Sequence, residues 1–176
     1  MVKKISLFFL LIGMVSCATN AKRELSLQLK VHKEVLPNGL TVLIMENKRL
    51  PIFSYYTFYD VGGRHEEIGI TGASHYLEHL MFKGAIKYGP GKFDGLIEGS
   101  GGFSNAYTTF DSTVYHENMP KKALKTIIDM EADRMVNLLL IPQTFESERQ
   151  VVLEERKQRY ENRPVTRVYR QFGRLQ

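Results

Sequence analysis

The stretch Gly72-Ala73-Ser74-His75-Tyr76-Leu77-Glu78-His79-Leu80-Met81-Phe82-Lys83-Gly84 decides how the chain is read. From Ala73 to Phe82 its pattern is helical, with Thr71 or Ser74 available as caps. His75 and His79 stand four apart, so on a helix both imidazoles point along nearly one direction and can reach one metal ion. Zinc accepts neutral imidazole nitrogen, and a reactive site needs three protein ligands plus an open position for water. Glu78, between the histidines, lies close enough to take a proton from that water without itself binding the metal. A solvated helix carrying two histidines by chance would read the same, so the surrounding sequence has to decide.

Upstream, Leu40-Thr41-Val42-Leu43-Ile44-Met45 is apolar and β-branched, and Pro37-Asn38-Gly39 before it is turn chemistry, which predicts a hairpin. Ile52 to Tyr59 is aromatic-rich and follows Pro51, a second strand pattern that Val61-Gly62-Gly63 breaks. Downstream, a helix is expected from Lys92 to Glu98, ending at Gly99. Extended stretches follow at Phe103 to Thr108 and Thr113 to Glu117. Pro120 then opens a long helix to about Leu139, and Pro142 opens another running toward Asn162. Elements in this order predict an α+β domain of two layers, a mostly antiparallel sheet with helices packed on one face. No internal repeat or low-complexity segment interrupts it.

With 176 residues, the chain can bury one real core but not two ordinary ones. Its 43% hydrophobic and 24% charged content is that of a soluble globular protein and argues against disorder. The formal charge of +5 falls to +3 if Lys3 and Lys4 are removed with a leader, too little and too dispersed to argue for nucleic acid. Arginines do gather at 156, 159, 163, 167, 170 and 174, interleaved with Tyr160 and Tyr169, a pattern that reads first as a solvated helix face.

The N-terminus reads as an address. Lys3-Lys4 precede an apolar run from Ile5 to Val15, too short for a membrane span of roughly 20 residues. Val15-Ser16-Cys17 resembles the lipobox of bacterial lipoproteins, in which the cysteine is acylated and becomes the new N-terminus. Ordinary cleavage after Ala18 is the rival reading. Either way no cysteine remains for an internal disulfide, because Cys17 is the only one. The expected organisation is a leader and lipobox over 1–17, a polar tether over 18–30 and a zinc-binding domain from 31 to 176. A bacterial envelope or periplasmic location, with a lipid anchor holding a soluble body near a membrane, goes with it.

Several stretches together resemble one family. They are Leu36-Pro37-Asn38-Gly39-Leu40, Val61-Gly62-Gly63-Arg64-His65-Glu66, Gly72 through Gly84, Gly101-Gly102-Phe103-Ser104-Asn105-Ala106 and Glu148-Arg149-Gln150-Val151-Val152-Leu153-Glu154-Glu155. In this order, from about Val31 to about Pro164, they resemble the pitrilysin/insulinase metallopeptidases, the inverzincins, named for the order H-x-x-E-H. Mitochondrial and many bacterial processing peptidases belong to that family.

The resemblance implies a zinc endopeptidase and supplies a third ligand, Glu155, which lies 76 positions after His79. Helix geometry agrees with it. Glu148 and Glu155 are two turns apart and share a face with Phe145 and Val152, and two carboxylates on such a stripe need a positive partner. Glu154, the competing ligand, sits about 100° off that face. The resemblance gives Glu148 a supporting role beside the metal rather than a ligand's. It also implies that Phe103 to Tyr107 form an edge strand to which an extended peptide adds, with Asn105 and Ala106 near the scissile bond. Asn105 alone reads equally well as a turn cap, Tyr107 is expected in the core, and His65 and His116 match no ligand position.

Active members of the family usually have a second, similarly folded half that closes over the metal, so the domain ending at Gln176 is expected to be C-terminally incomplete. Two function classes remain: a zinc endopeptidase acting on peptides or unfolded segments, and a non-catalytic or partner-dependent subunit of a two-chain processing peptidase. The implied partners are a peptide substrate and a second homologous half or subunit.

Overall fold

The computed structural model describes residues 29–166 and Val168. The leader, Cys17 and most of the expected tether lie outside the described residues, as does Tyr169. None of the helices among the described residues is long and apolar enough to cross a membrane. The chain divides into two compact units at Lys48/Arg49.

In the first unit β1 (Val31–Val35) pairs antiparallel with β2 (Thr41–Met45), Val31 opposite Met45 and Val35 opposite Thr41. The turn forms where Pro37-Asn38-Gly39 predicts it. Gly39 takes φ +86°, and the Asn38 side chain accepts the Leu40 amide at 3.2 Å.

The second unit is built on three antiparallel strands in the order β3 (Ile52–Tyr59), β5 (Thr113–Pro120), β4 (Phe103–Thr108). Tyr56 and Asn105 both stand opposite His116. One sheet face turns Phe53, Tyr55 and Met119 toward α2 (Lys92–Gly99) and α3 (Leu124–Val136), where Phe93, Ile97, Ile127 and Met130 complete the core. Helix α1 (Ala73–Leu80) lies against β4 and β5, and α4 (Pro142–Arg156) packs on α1. Ile52, Tyr56, Phe58 and Phe103 stay exposed on the other face. The expected two-layer arrangement with helices on one face is what forms.

The bend after β3 depends on Gly62, where a Cβ would come within 2.4 Å of the Thr109 carbonyl. That proximity lets the Gly63 amide donate to the Thr109 carbonyl at 3.0 Å and the Arg64 amide to the Phe110 carbonyl at 2.8 Å, fastening the β4–β5 turn to the segment before α1.

Four elements differ in their boundaries from the sequence reading. Helix α1 ends at Leu80 rather than Phe82, because the chain tightens through Met81–Lys83 and turns at Gly84, which has φ +112°. Strand β5 continues past Glu117 to Pro120, held by pairing of Asn118–Pro120 with Ile52–Ser54. The helix expected from Pro120 begins as a 3-10 turn at Lys121–Ala123 and ends at Val136, not Leu139. Leu138 is drawn into a bridge with Ala85, and the Leu139 amide donates to the Gly84 carbonyl at 3.0 Å, which the helix could not have supplied. The last helix is α-helical only to Arg156; Lys157–Glu161 follow as a wider π-turn, with the Asn162 amide on the Lys157 carbonyl.

Under the sheet lies a charged cluster that no sequence pattern announces. Arg134 is 1% exposed and places its Nη2 atom 3.2 Å from Glu117 and 2.9 Å from Glu131, both equally buried. Thr57 donates to Glu131 at 3.1 Å, and the guanidinium lies 4.4 Å from the Tyr115 ring centre and 4.5 Å from that of Phe93.

Candidate metal centre

Helix α1 starts at Gly72, whose φ of +95° suits glycine, and neither Thr71 nor Ser74 caps it. The cap comes from Glu66, whose carboxylate accepts the Gly72 amide at 2.6 Å and the Ser74 amide at 2.8 Å. Burial pushes the Glu66 carboxyl up, but these amide hydrogen bonds outweigh it and hold the group below the usual carboxylate range. The first turn of α1 is thereby fixed just where it carries His75.

Helices α1 and α4 are joined on one side by Tyr76, which donates its hydroxyl to the Phe145 carbonyl and packs its ring on Phe145 at 4.9 Å. On the other side His79 Nδ1 lies 3.0 Å from Glu148 Oε1, and Lys83 Nζ lies 2.7 Å from Glu148 Oε2. Glu148 as acceptor at Nδ1 selects the tautomer of His79 that leaves Nε2 free as a lone pair. Burial raises the Glu148 carboxyl, but the bonds from Lys83 and His79 prevail and keep it low, hence ionised.

Between the helices, His75 Nε2 and His79 Nε2 face one another at 3.3 Å, with their rings 89° apart. Glu155 completes the group, one oxygen 3.8 Å from His75 Nε2 and the other 3.7 Å from His79 Nε2. One atom from each of the three falls within 4.8 Å of the others. This donor set fits zinc. Ligand bonds of about 2.0–2.2 Å in a tetrahedron set neighbouring donor atoms roughly 3.3–3.6 Å apart. His75 is held below the ordinary histidine range by burial first and by the neighbouring His79 second, so the imidazole is neutral and able to ligate. Glu155 Oε2 is buried without a hydrogen bond, although Arg159 Nη2 lies 3.1 Å from it. A cation would satisfy that atom.

Glu78 enters the same cleft, which measures about 430 Å3. It is 8% exposed, and Thr108 donates a hydroxyl to its Oε2. Thr113, 3.4 Å from Thr108, spends its own proton on the Val61 carbonyl at 2.9 Å, so the orientation of the pair is fixed. Oε1 of Glu78 is left to accept a proton.

Asn105 and Ala106 line the cleft on β4, which among the described residues has a strand neighbour on one side only. Asn105 accepts the Ala106 amide at 2.9 Å with its own side chain. Tyr107 departs from expectation: it is 44% exposed and lines the cleft instead of the core. The alternation of β4 explains this, since Ser104, Ala106 and Thr108 are its more buried positions and Tyr107 falls on the other parity. Glu154 points away and pairs with Lys157 at 2.6 Å. His65 accepts the Gly62 amide and His116 stacks on Tyr56. Lys83, Thr108, Glu66 and Arg159 were given no role by the sequence. Lys83 and Glu66 lie inside the stretches that carry the family resemblance, and nothing in their spacing says what they touch.

The insulinase family, peptidase family M16, matches residues 41–172. A zinc protease of Helicobacter pylori, PqqE, is 39% identical over 144 residues, which is 80% of this chain and 32% of that protein. The β subunit of the mitochondrial-processing peptidase of Blastocladiella emersonii is 34% identical over 120 residues, 68% of this chain and 26% of that one. The crystal structure of a protease from Helicobacter pylori superposes with a TM-score of 0.77 at 37% identity, covering 81% of this chain and 34% of that chain. The chain thus spans about a third or less of the length of these relatives. A match of this extent makes the chain a member of the insulinase (M16) family of peptidases.

Proposed function

We propose that this chain is the metal-binding part of a zinc-dependent endopeptidase that hydrolyses peptides or unfolded polypeptide segments. The observation that carries the reading is the convergence of His75, His79 and Glu155 in a cleft that also holds Glu78 and borders the open edge of β4. His75, His79 and Glu155 would hold the ion. Zinc, when bound, supplies Lewis acidity, making a water acidic near neutral pH and polarising a peptide carbonyl. An extended peptide adds to β4 through main-chain hydrogen bonds, which places its scissile bond near Asn105 and Ala106 and demands little of its side chains. Glu78 Oε1 takes the proton of the attacking water and returns it to the leaving amine, while Thr108 holds Oε2 still. A second homologous half or subunit closes the cleft, pins the peptide and stabilises the developing oxyanion. The β subunit of a processing peptidase among the relatives supports a partner of that kind. A purely non-catalytic subunit is the weaker reading, because such a protein has no physical reason to keep four mutually dependent polar groups in place.

Metal content tests the ligand set. Glu155→Ala is expected to weaken zinc binding by more than about 100-fold, beyond what loss of a merely supporting residue costs. Glu154→Ala should leave it unchanged. The reverse pattern in a chelator competition would move the third ligand to Glu154.

We further propose a bacterial envelope location with Cys17 as a lipid anchor, on the strength of Lys3-Lys4, the short apolar run and Val15-Ser16-Cys17. Cys17→Ser is then expected to block fatty-acid incorporation and release the protein from membranes. Unchanged mass and membrane association in the variant would favour an ordinary leader.

A further inference from the structure

Lys83 has no place in the ligand set or in the proton transfer, yet it meets the site at a particular point. It belongs to the turn that ends α1, fixed by its amide on the Leu80 carbonyl at 2.9 Å and by the reversal at Gly84. From there its ammonium reaches across to α4 and lies 2.7 Å from Glu148 Oε2, while the other oxygen of Glu148 faces His79 Nδ1 at 3.0 Å. The Glu148 side chain is 9% exposed and that of His79 17%. A carboxylate held at one oxygen can still rotate about its last bond; held at both, it cannot. Glu148 also lies two turns before Glu155 on α4, so whatever fixes Glu148 against α1 fixes the distance between the histidine ligands and Glu155.

We propose that Lys83 is a positioning residue for the metal centre, locking Glu148 so that it orients His79 and holds α4 in register with α1. The proposal rests on the metal reading above. Two effects compete when Lys83 is removed. Loss of a positive charge would favour a dication through space, and loss of the lock would disfavour it. The lock prevails, because the charge is already paired with Glu148 at contact distance, whereas the orientation of a ligand histidine bears directly on metal affinity.

The test is zinc affinity of the whole chain by chelator competition, with thermal melting of the metal-free protein alongside. Lys83→Met is expected to weaken zinc about tenfold, the lower end of the range for residues that support a ligand. Lys83→Arg, which can still bridge to Glu148, should recover most of it. In a Glu148→Gln background, Lys83→Met should cost nothing more, because the lock is already gone. Zinc bound equally or more tightly by Lys83→Met than by the wild type would overturn the proposal, as would a lowered metal-free melting point with unchanged zinc affinity. A wild-type chain that takes up no zinc would instead bring down the metal reading, and this inference with it.

Discussion

Glu78→Gln is expected to keep zinc and lose peptide hydrolysis by about three orders of magnitude, within the range of 10²–10⁴ that a positioned general base contributes. The substitution preserves shape. The Gln carbonyl can still accept the Thr108 hydroxyl, so the cleft and the three proposed ligands stay as they are. What disappears is a carboxylate oxygen in the cleft able to take a proton. Activity should be measured with the proposed second half present, since pinning the peptide and excluding water are the tasks assigned to it. Zinc content and turnover must be followed together. Parallel loss of both would show that Glu78 ligates the ion and that the roles assigned to Glu78 and Glu155 need exchanging.

A comparable loss, in stability, is expected at Arg134. Replacing it with methionine keeps much of the contact with Tyr115 and Phe93 but removes the cation that faces Glu117 and Glu131. Breaking a buried ion pair by removing one partner costs about 3–5 kcal/mol, since the remaining charge stays out of water. The cost should depend on pH. Burial above all, and the Glu131 carboxylate next, push the Glu117 carboxyl up to about 8 from 4.5, with Arg134 opposing them. Between those two values the folded chain holds a proton that the unfolded chain releases, so stability falls as pH rises through the window. Without Arg134 the opposition is gone and the fall continues to higher pH. Unfolding of Arg134→Met at about pH 5 and about pH 8 should therefore show the larger deficit at the higher pH. An equal deficit at both, or one below about 1 kcal/mol, would mean that the cluster is not the electrostatic unit its geometry suggests.

Both results concern residues that differ sharply in how visible they were beforehand. Glu78 stands inside a helix whose period puts it between two histidines, and that period is local. Arg134 sits in Met130-Glu131-Ala132-Asp133-Arg134, a segment whose charges look like a solvated helix face. Only the closing of β5 and α3 on one another turns that face inward. Tyr107 failed for the opposite reason. An aromatic residue in a strand is a fair core candidate, but the register of β4 on β5 set its parity to the other side.

What the sequence determined by itself is the set of features that neighbours in the chain impose on each other. The aromatic-rich run Ile52–Tyr59 after Pro51, and Phe103–Thr108 after Gly101-Gly102, made strands with those bounds, and the turn at Asn38-Gly39 made a hairpin. The four-residue spacing of His75 and His79 put two imidazoles on one face of α1. The tertiary structure decided everything that depends on distant parts meeting. Glu148 reaches His79 across 69 positions, and Glu66 rather than a local residue caps α1. Helix α3 stops at Val136 because Leu138 bridges to Ala85, far back in the chain. A period in the sequence says which face of an element is distinct, but it carries no term for what will cover that face. That partner is chosen by packing, hydrogen-bond satisfaction and charge pairing summed over the whole fold.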